Sequence, residues 1–165
     1  MTTRPLAYHI TFGTYGTRLH GDARGTVDRG MNKPGDPIIG ADRGWWEFER
    51  GKLKFPPVEL DREKMLFVES VLPSICARGG WEYHTGVGGA DHVHTLLTAD
   101  AEGDAVRRWL KRWLGEALSA QWKLPEGATW WAEGGSVKWV WTRDYYGAVF
   151  KYVDGQRASG RTRPK

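Results

Sequence analysis

Several short stretches of the chain alternate apolar and polar residues, and others repeat apolar residues at helical spacing. Tyr8-His9-Ile10-Thr11-Phe12 alternates and reads as a strand. Between Asp61 and Arg78, the residues Met65, Val68, Leu72 and Ile75 recur every three or four positions, which predicts a helix. Asp61 is placed to cap its start and Gly79-Gly80 to stop it, while Pro73 is expected to kink it or split off its last turn. Trp81 to Val87 alternates again, the turn Gly88-Gly89-Ala90-Asp91 follows, and His92 to Leu97 completes a hairpin. The clearest helix opens at Asp104. Its stripe is Val106, Trp109, Leu110, Trp113, Leu114, Ala117 and Leu118, with Arg107, Arg108, Lys111 and Arg112 mainly off it. Ser136 to Trp141 alternates as a strand, and a last helix is expected from near Asp144 through Tyr152 to about Gln156.

The order strand, helix, strand, strand, helix, strand, followed by one more helix, places the chain in the α+β class. It is the split βαββαβ arrangement of ferredoxin-like or RRM-like folds: one antiparallel sheet with helices on one face, here with an added C-terminal helix. The second face is expected to stay open. Residues 21–44 are rich in Gly, Asp and Pro and lack periodicity, and residues 45–57 are mixed and carry no assignment. Together they make a long loop excursion at about 18–58 inside a single domain spanning 1–165, with a short, loose basic tail at 157–165.

Composition narrows the function classes. Hydrophobic residues make up 40% of the 165, enough to build a core. The 24 Lys and Arg exceed the 20 Asp and Glu, and the net charge of +4 suits a polyanionic partner. Cys76 stands alone, so an internal disulfide and a four-thiolate metal site are excluded. The first residues hold no apolar run of the secretory kind, and no stretch approaches the roughly 20 apolar residues of a membrane span, so a cytoplasmic protein without membrane contact is expected. Ten tryptophans, among them Trp45-Trp46, Trp130-Trp131 and the spaced pairs Trp109/Trp113 and Trp139/Trp141, either fill the core, the expectation for most, or offer faces for stacking bases.

Two local patterns carry chemistry. In Asp91-His92-Val93-His94 the two histidines are two residues apart on a strand, so both imidazoles project from one face while Val93 points to the core. Such a pair can chelate a divalent ion and leave positions for oxygen ligands and substrate. With 5 histidines in the chain, a chance pairing is the competing explanation. The second pattern lies in the last helix, where Tyr152 and Gln156 share a face and Tyr145 and Tyr146 lie nearby. A tyrosine hydroxyl can be a covalent nucleophile and a glutamine amide oxygen can ligate a hard ion; alternatively Tyr152 packs in the core and Gln156 is simply solvated.

Taken together, the His-hydrophobic-His strand and, some sixty residues later, the Tyr-x-x-x-Gln of Tyr152 to Gln156 resemble the single-tyrosine HUH transposases, in particular the branch of the REP-associated tyrosine transposases. Tyr8 to Phe12, Leu19 to Arg29 and Trp81 to Leu97 add to the likeness, which runs in order along nearly the whole chain. The Asn-Pro or His-rich context that many members place around the tyrosine helix is absent, so fine DNA specificity does not carry over.

The resemblance implies His92 and His94 as metal ligands with Gln156 as the third, Tyr152 as nucleophile, and Mg²⁺ or Mn²⁺ as cofactor. It implies cleavage of single-stranded DNA beside a hairpin, through a 5′-phosphotyrosine link and a free 3′-hydroxyl, then rejoining, with a homodimer possible. Asp91 is a candidate to orient one ligand histidine. Phosphates would meet Arg107, Arg108, Lys111 and Arg112, the loop residues Arg18, Arg24 and Arg29, and the tail residues Arg157, Arg161 and Arg163. For the helix cations a plain solvated face is the alternative. His9, His20 and His84 are read as structural or accessory.

The competing function is a non-catalytic or domesticated protein that binds single-stranded or hairpin nucleic acid on the same fold by aromatic stacking. A two-histidine phosphoesterase needs a second His-x-Thr/Ser strand that the chain lacks, and replication-initiator or relaxase nucleases usually carry larger companion domains.

Overall fold

The computed structural model describes residues 4–17 and 43–157. Strand β1 (Ala7–Gly13) is followed by helices α1 (Arg43–Gly51) and α2 (Arg62–Gly79), the hairpin strands β2 (Glu82–Gly88) and β3 (His92–Thr98), helix α3 (Gly103–Gln121), strand β4 (Ser136–Val140) and helix α4 (Arg143–Asp154). The four strands form one antiparallel sheet in the order β2-β3-β1-β4. That is the ferredoxin-like topology, with the two central strands coming from opposite halves of the βαββαβ unit.

Alternation sorts the sheet residues onto two faces. Tyr8, Ile10, Phe12, Val93 and Leu97 point to one side and pack with Val68, Leu72 and Ile75 of α2 and Val106, Leu110, Leu114 and Leu118 of α3. Those α3 residues are the expected stripe, while Trp109, off the centre of the buried face, is left half-exposed. Trp130 and Trp131 close this core. Their indole N–H groups donate to Ser119 Oγ (2.9 Å) and to the Lys111 carbonyl (2.8 Å), which satisfies the polar edge of each buried ring.

Three expectations need correction. Pro73 does not split its helix: α2 is continuous through it, capped by Asp61 at the start and by Gly80 in the left-handed region at the end. Pro73 itself is exposed while Leu72, Ile75 and Cys76 beside it are buried, so the packing of these neighbours holds the last turn. The unassigned stretch 45–57 contains most of α1 and a return segment leading to Val58, whose N–H donates to the Tyr15 carbonyl at 2.8 Å. The second sheet face is not open along its length, because α4 lies over part of it, burying Val149 and Val153 against Ala7, Val87, Leu96 and Val140.

Strand β2 carries a bulge. Tyr83 pairs with Leu97 and Thr85 with Leu96, leaving His84 as the extra residue between them. Its Nε2 lies 2.8 Å from Thr98 Oγ1 and its ring meets Tyr146 of α4 edge-on at 5.1 Å. No described helix is long and apolar enough to cross a membrane.

Candidate active site

The strand parity that buries Val93 sends His92 and His94 to the face that α4 partly covers. His94 is buried and His92 is partly exposed, their rings meeting edge-on with centroids 4.8 Å apart. The predicted pair is therefore a real juxtaposition on one sheet face. Asp91, at the turn into β3, places Oδ1 2.7 Å from His92 Nδ1. A carboxylate only accepts, so Nδ1 carries the hydrogen and Nε2 of His92 keeps its lone pair. The backbone allows this close packing at Gly89: a Cβ there would come within 2.7 Å of the His92 ring.

Two residues of β1 complete the cluster. Thr11 is the register partner of His94, and its Oγ1 lies 2.9 Å from His94 Nδ1. His9, two residues back on the same face, places Nε2 3.0 Å from His94 Nδ1 and is itself buried. Burial, reinforced by the positive charge of Lys138, pushes the His9 ring down to a pKa of about 4, so it is neutral near pH 7. Lys138 is the register partner of His9 on β4 and Ser136 that of Thr11, so the face continues as a polar strip from β3 across β1 to the edge strand.

Tyr152 enters from α4. Its ring stands edge-on to His94 at 5.7 Å and to His9 at 6.3 Å, and it remains 58% exposed on its other side. The α4 turn that buries Val149, three positions before Tyr152, and Val153, one position beyond it, sets this direction. Tyr146 turns instead to His84 and Phe150, and burial together with nearby Glu82 raises its hydroxyl pKa. Tyr145 is half-exposed in the first turn, where its N–H is capped by Thr142. Of the three tyrosines on the helix, Tyr152 is the one in ring contact with His9 and His94.

The helix expected to reach about Gln156 stops short of it, ending at Asp154 with Gly155 as its C-cap. The Gln156 backbone N–H bonds to Val153 and its side-chain amide donates to the Tyr152 carbonyl at 3.3 Å; it makes no hydrogen bond to either histidine. Among the described residues no group of three or more His, Cys, Asp or Glu is gathered as a metal cage. The donor set still suits a divalent ion in part, a hard one only with added oxygen ligands: two imidazoles on one face, one with its tautomer set by a carboxylate and the other held through Nδ1. Cys76 is no competing nucleophile, since burial raises its thiol to about 12.

The four α3 cations lie on the opposite side of the sheet from this cluster. Lys111 donates to the carbonyls of Ala132 (2.7 Å) and Gly134 (2.8 Å), and Arg107 pairs with Asp104 within the helix at 3.2 Å and donates to the Gly135 carbonyl at 3.4 Å, so both tie α3 to the segment before β4. Arg112 pairs with Glu116 at 3.3 Å and lies over the Trp109 ring, while Arg108 is exposed. Arg157 sits at 3.9 Å from Asp154. Arg18, Arg24, Arg29, His20, Arg161 and Arg163 lie outside the described residues. Sequence reading missed His9 and Lys138 as neighbours of the site. The only signal for His9 was its parity with Thr11 on the first strand, which means nothing until that strand is paired with β3.

No protein-family model matches the chain, and no curated protein does. Among solved structures it is similar to the crystal structure of a "putative transposase" from Deinococcus radiodurans R1, with a TM-score of 0.53 and 17% identity. The likeness covers 96% of this chain and 95% of that one. What the two chains share over nearly their whole lengths is the ferredoxin-like α+β fold.

Proposed function

We propose that the chain is a transposase-like enzyme, a metal-dependent endonuclease and strand transferase acting on single-stranded DNA beside a hairpin. The observation that carries this reading is the placement of Tyr152, exposed on one side and edge-on to His94 on the other. A half-exposed phenol next to a polar, histidine-lined strip is poorly explained as core packing and well explained as a nucleophile.

His92 and His94 would hold Mg²⁺ or Mn²⁺ through Nε2, with the Gln156 amide oxygen as the third protein ligand. When bound, the ion would offset the charge of the scissile phosphate. The Tyr152 hydroxyl gives up its proton to solvent as its oxygen attacks phosphorus; the Oη–P bond forms, the bond from phosphorus to the 3′ oxygen breaks, and that oxygen takes a proton from solvent and leaves as a 3′-hydroxyl. The phosphodiester is conserved as 5′-phosphotyrosine, so a second 3′-hydroxyl can reverse the step and join strands without ATP. Asp91 orients His92, Thr11 and His9 hold His94, and Lys138 on the same face supplies positive charge for a neighbouring phosphate.

The test is a labelled single-stranded DNA pool from the gene's flanks, incubated with wild type and Tyr152→Phe in Mn²⁺ or in EDTA. An SDS-resistant adduct that needs both metal and Tyr152 is expected. An adduct that survives Tyr152→Phe would move the nucleophile to Tyr145 or Tyr146. Salt-sensitive hairpin binding without any adduct would favour a binding-only protein, a reading that the half-exposed Trp139 on the edge strand and Trp141 just past its end, with centroids 5.7 Å apart, also fit.

A further inference from the structure

The cluster holds a third imidazole. His9 and His94 sit diagonally on adjacent strands, with their rings inclined by 21° and centroids 5.2 Å apart. His9 Nε2 and His94 Nδ1 face each other at 3.0 Å, so one hydrogen lies between them. If it belongs to His9, His94 accepts through Nδ1 and its own hydrogen sits on Nε2, which then cannot coordinate. If it belongs to His94 Nδ1, the lone pair is on His94 Nε2.

We propose that His9 is a positioning residue: its Nε2 accepts the His94 Nδ1–H bond and thereby holds His94 as the tautomer whose Nε2 can take a metal ion. This rests on reading His92 and His94 as the metal-binding pair. The arrangement gives each histidine its own acceptor, Asp91 for His92 and His9 for His94. Thr11 Oγ1 lies 2.9 Å from His94 Nδ1 and 3.4 Å from His9 Nε2, so its hydroxyl braces the pair. Rotation of the His94 ring is opposed by His9 along one side and by the edge-on rings of His92 and Tyr152.

The experiment uses the full chain, metal-free and labelled with ¹⁵N-histidine at pH 7.5, and reads the His94 tautomer by long-range ¹H–¹⁵N correlation. The wild type should show hydrogen on Nδ1. His9→Phe keeps a ring of similar size but removes the acceptor, and His9→Gln offers an amide oxygen in its place. In His9→Phe the Nδ1–H form should lose population and Mn²⁺ affinity, measured by calorimetry, should fall about 10- to 100-fold. His9→Gln should recover most of both, which a purely space-filling role would not produce. An Nε2–H tautomer in the wild type overturns the proposal, as does a His94 spectrum unchanged in His9→Phe. If His9→Phe does not fold, the wild-type and His9→Gln spectra still decide. Failure of the underlying reading is seen separately, as wild type that takes up no Mn²⁺ or as undiminished uptake by His94→Ala.

Discussion

Acid should destabilise the fold through His9, by an amount that the structure allows to be worked out. The ring is buried against His94, Thr11, Tyr152 and the positively charged Lys138. Its pKa falls from 6.5 to about 4 on folding, first from burial and then from Lys138. In the unfolded chain the imidazole takes up its proton near 6.5, so between that pH and about 4 the unfolded state binds more protons than the native state. The stabilising contribution is therefore complete above pH 6.5 and is lost as pH falls toward 4. At about 1.4 kcal/mol per pKa unit the full contribution is about 3 kcal/mol, of which about 2.5 kcal/mol is gone by pH 4.5. Equilibrium urea unfolding of the metal-free protein reads this directly. With a slope of about 2 kcal/mol per molar, the midpoint should drop by about 1 M between pH 7.5 and 4.5 from this residue alone. His9→Phe and His9→Gln lack the proton site, and the carboxylates common to all three proteins cancel in the difference. A wild-type-minus-variant difference that stays flat across that window would refute the buried, neutral His9.

Three further outcomes follow from the geometry. Val153 is fully buried in the small cluster beneath α4, so Val153→Ala should cost about 2 kcal/mol locally. That should appear as faster amide exchange in α4 and a lower adduct yield, with exchange in α2 and α3 unchanged. Gly80 closes α2 at φ 73° with open space around a would-be Cβ. Gly80→Ala should thus lose only the conformational term, about 1 kcal/mol or a melting shift of about 2–4 °C, and Gly80→Asn should lose less. Lys138→Gln should lower the logarithmic salt dependence of single-stranded DNA binding in EDTA by about 0.7, and an unchanged slope would remove Lys138 from the phosphate path.

Much of the framework was legible because it is written in local periodicity. The stripe from Val106 to Leu118 and the alternation at Tyr8 to Phe12 both have the faces expected of them. The His92/His94 pair was readable for the same reason, since spacing by two on a strand guarantees a shared face. What depended on distant segments was not readable. The role of His9 exists only through the pairing of Thr11 with His94, more than eighty residues apart. The return of α4 onto the second face follows from Val149 and Val153 finding Val87 and Leu96, and nothing in the helix's own sequence names that partner. Lys111 looked like any solvated cation until the carbonyls of Ala132 and Gly134 were placed beside it. Helix α1 went unseen because nine residues give too few turns to establish a period.

The bulge at His84 sets how the hairpin would respond to gaining or losing a residue. On the helix-covered side β2 presents Tyr83, Gly86 and Gly88, and a Cβ at either glycine would run into α2, at Leu72 for the first and at Met65 and Val68 for the second. On the other side it presents Thr85 and Val87, the latter opposite His94. With the bulge kept, removing Thr85 or Gly86 would move Val87 opposite Thr95 on the helix-covered side, into space that admits only hydrogen. Removing His84 would not, because Tyr83 and Thr85 already face consecutive partners on β3. The strand thus has one expendable place in its length. A relative one residue shorter there could keep its site histidines where they are and give up only the contacts of the bulge with Thr98 and Tyr146.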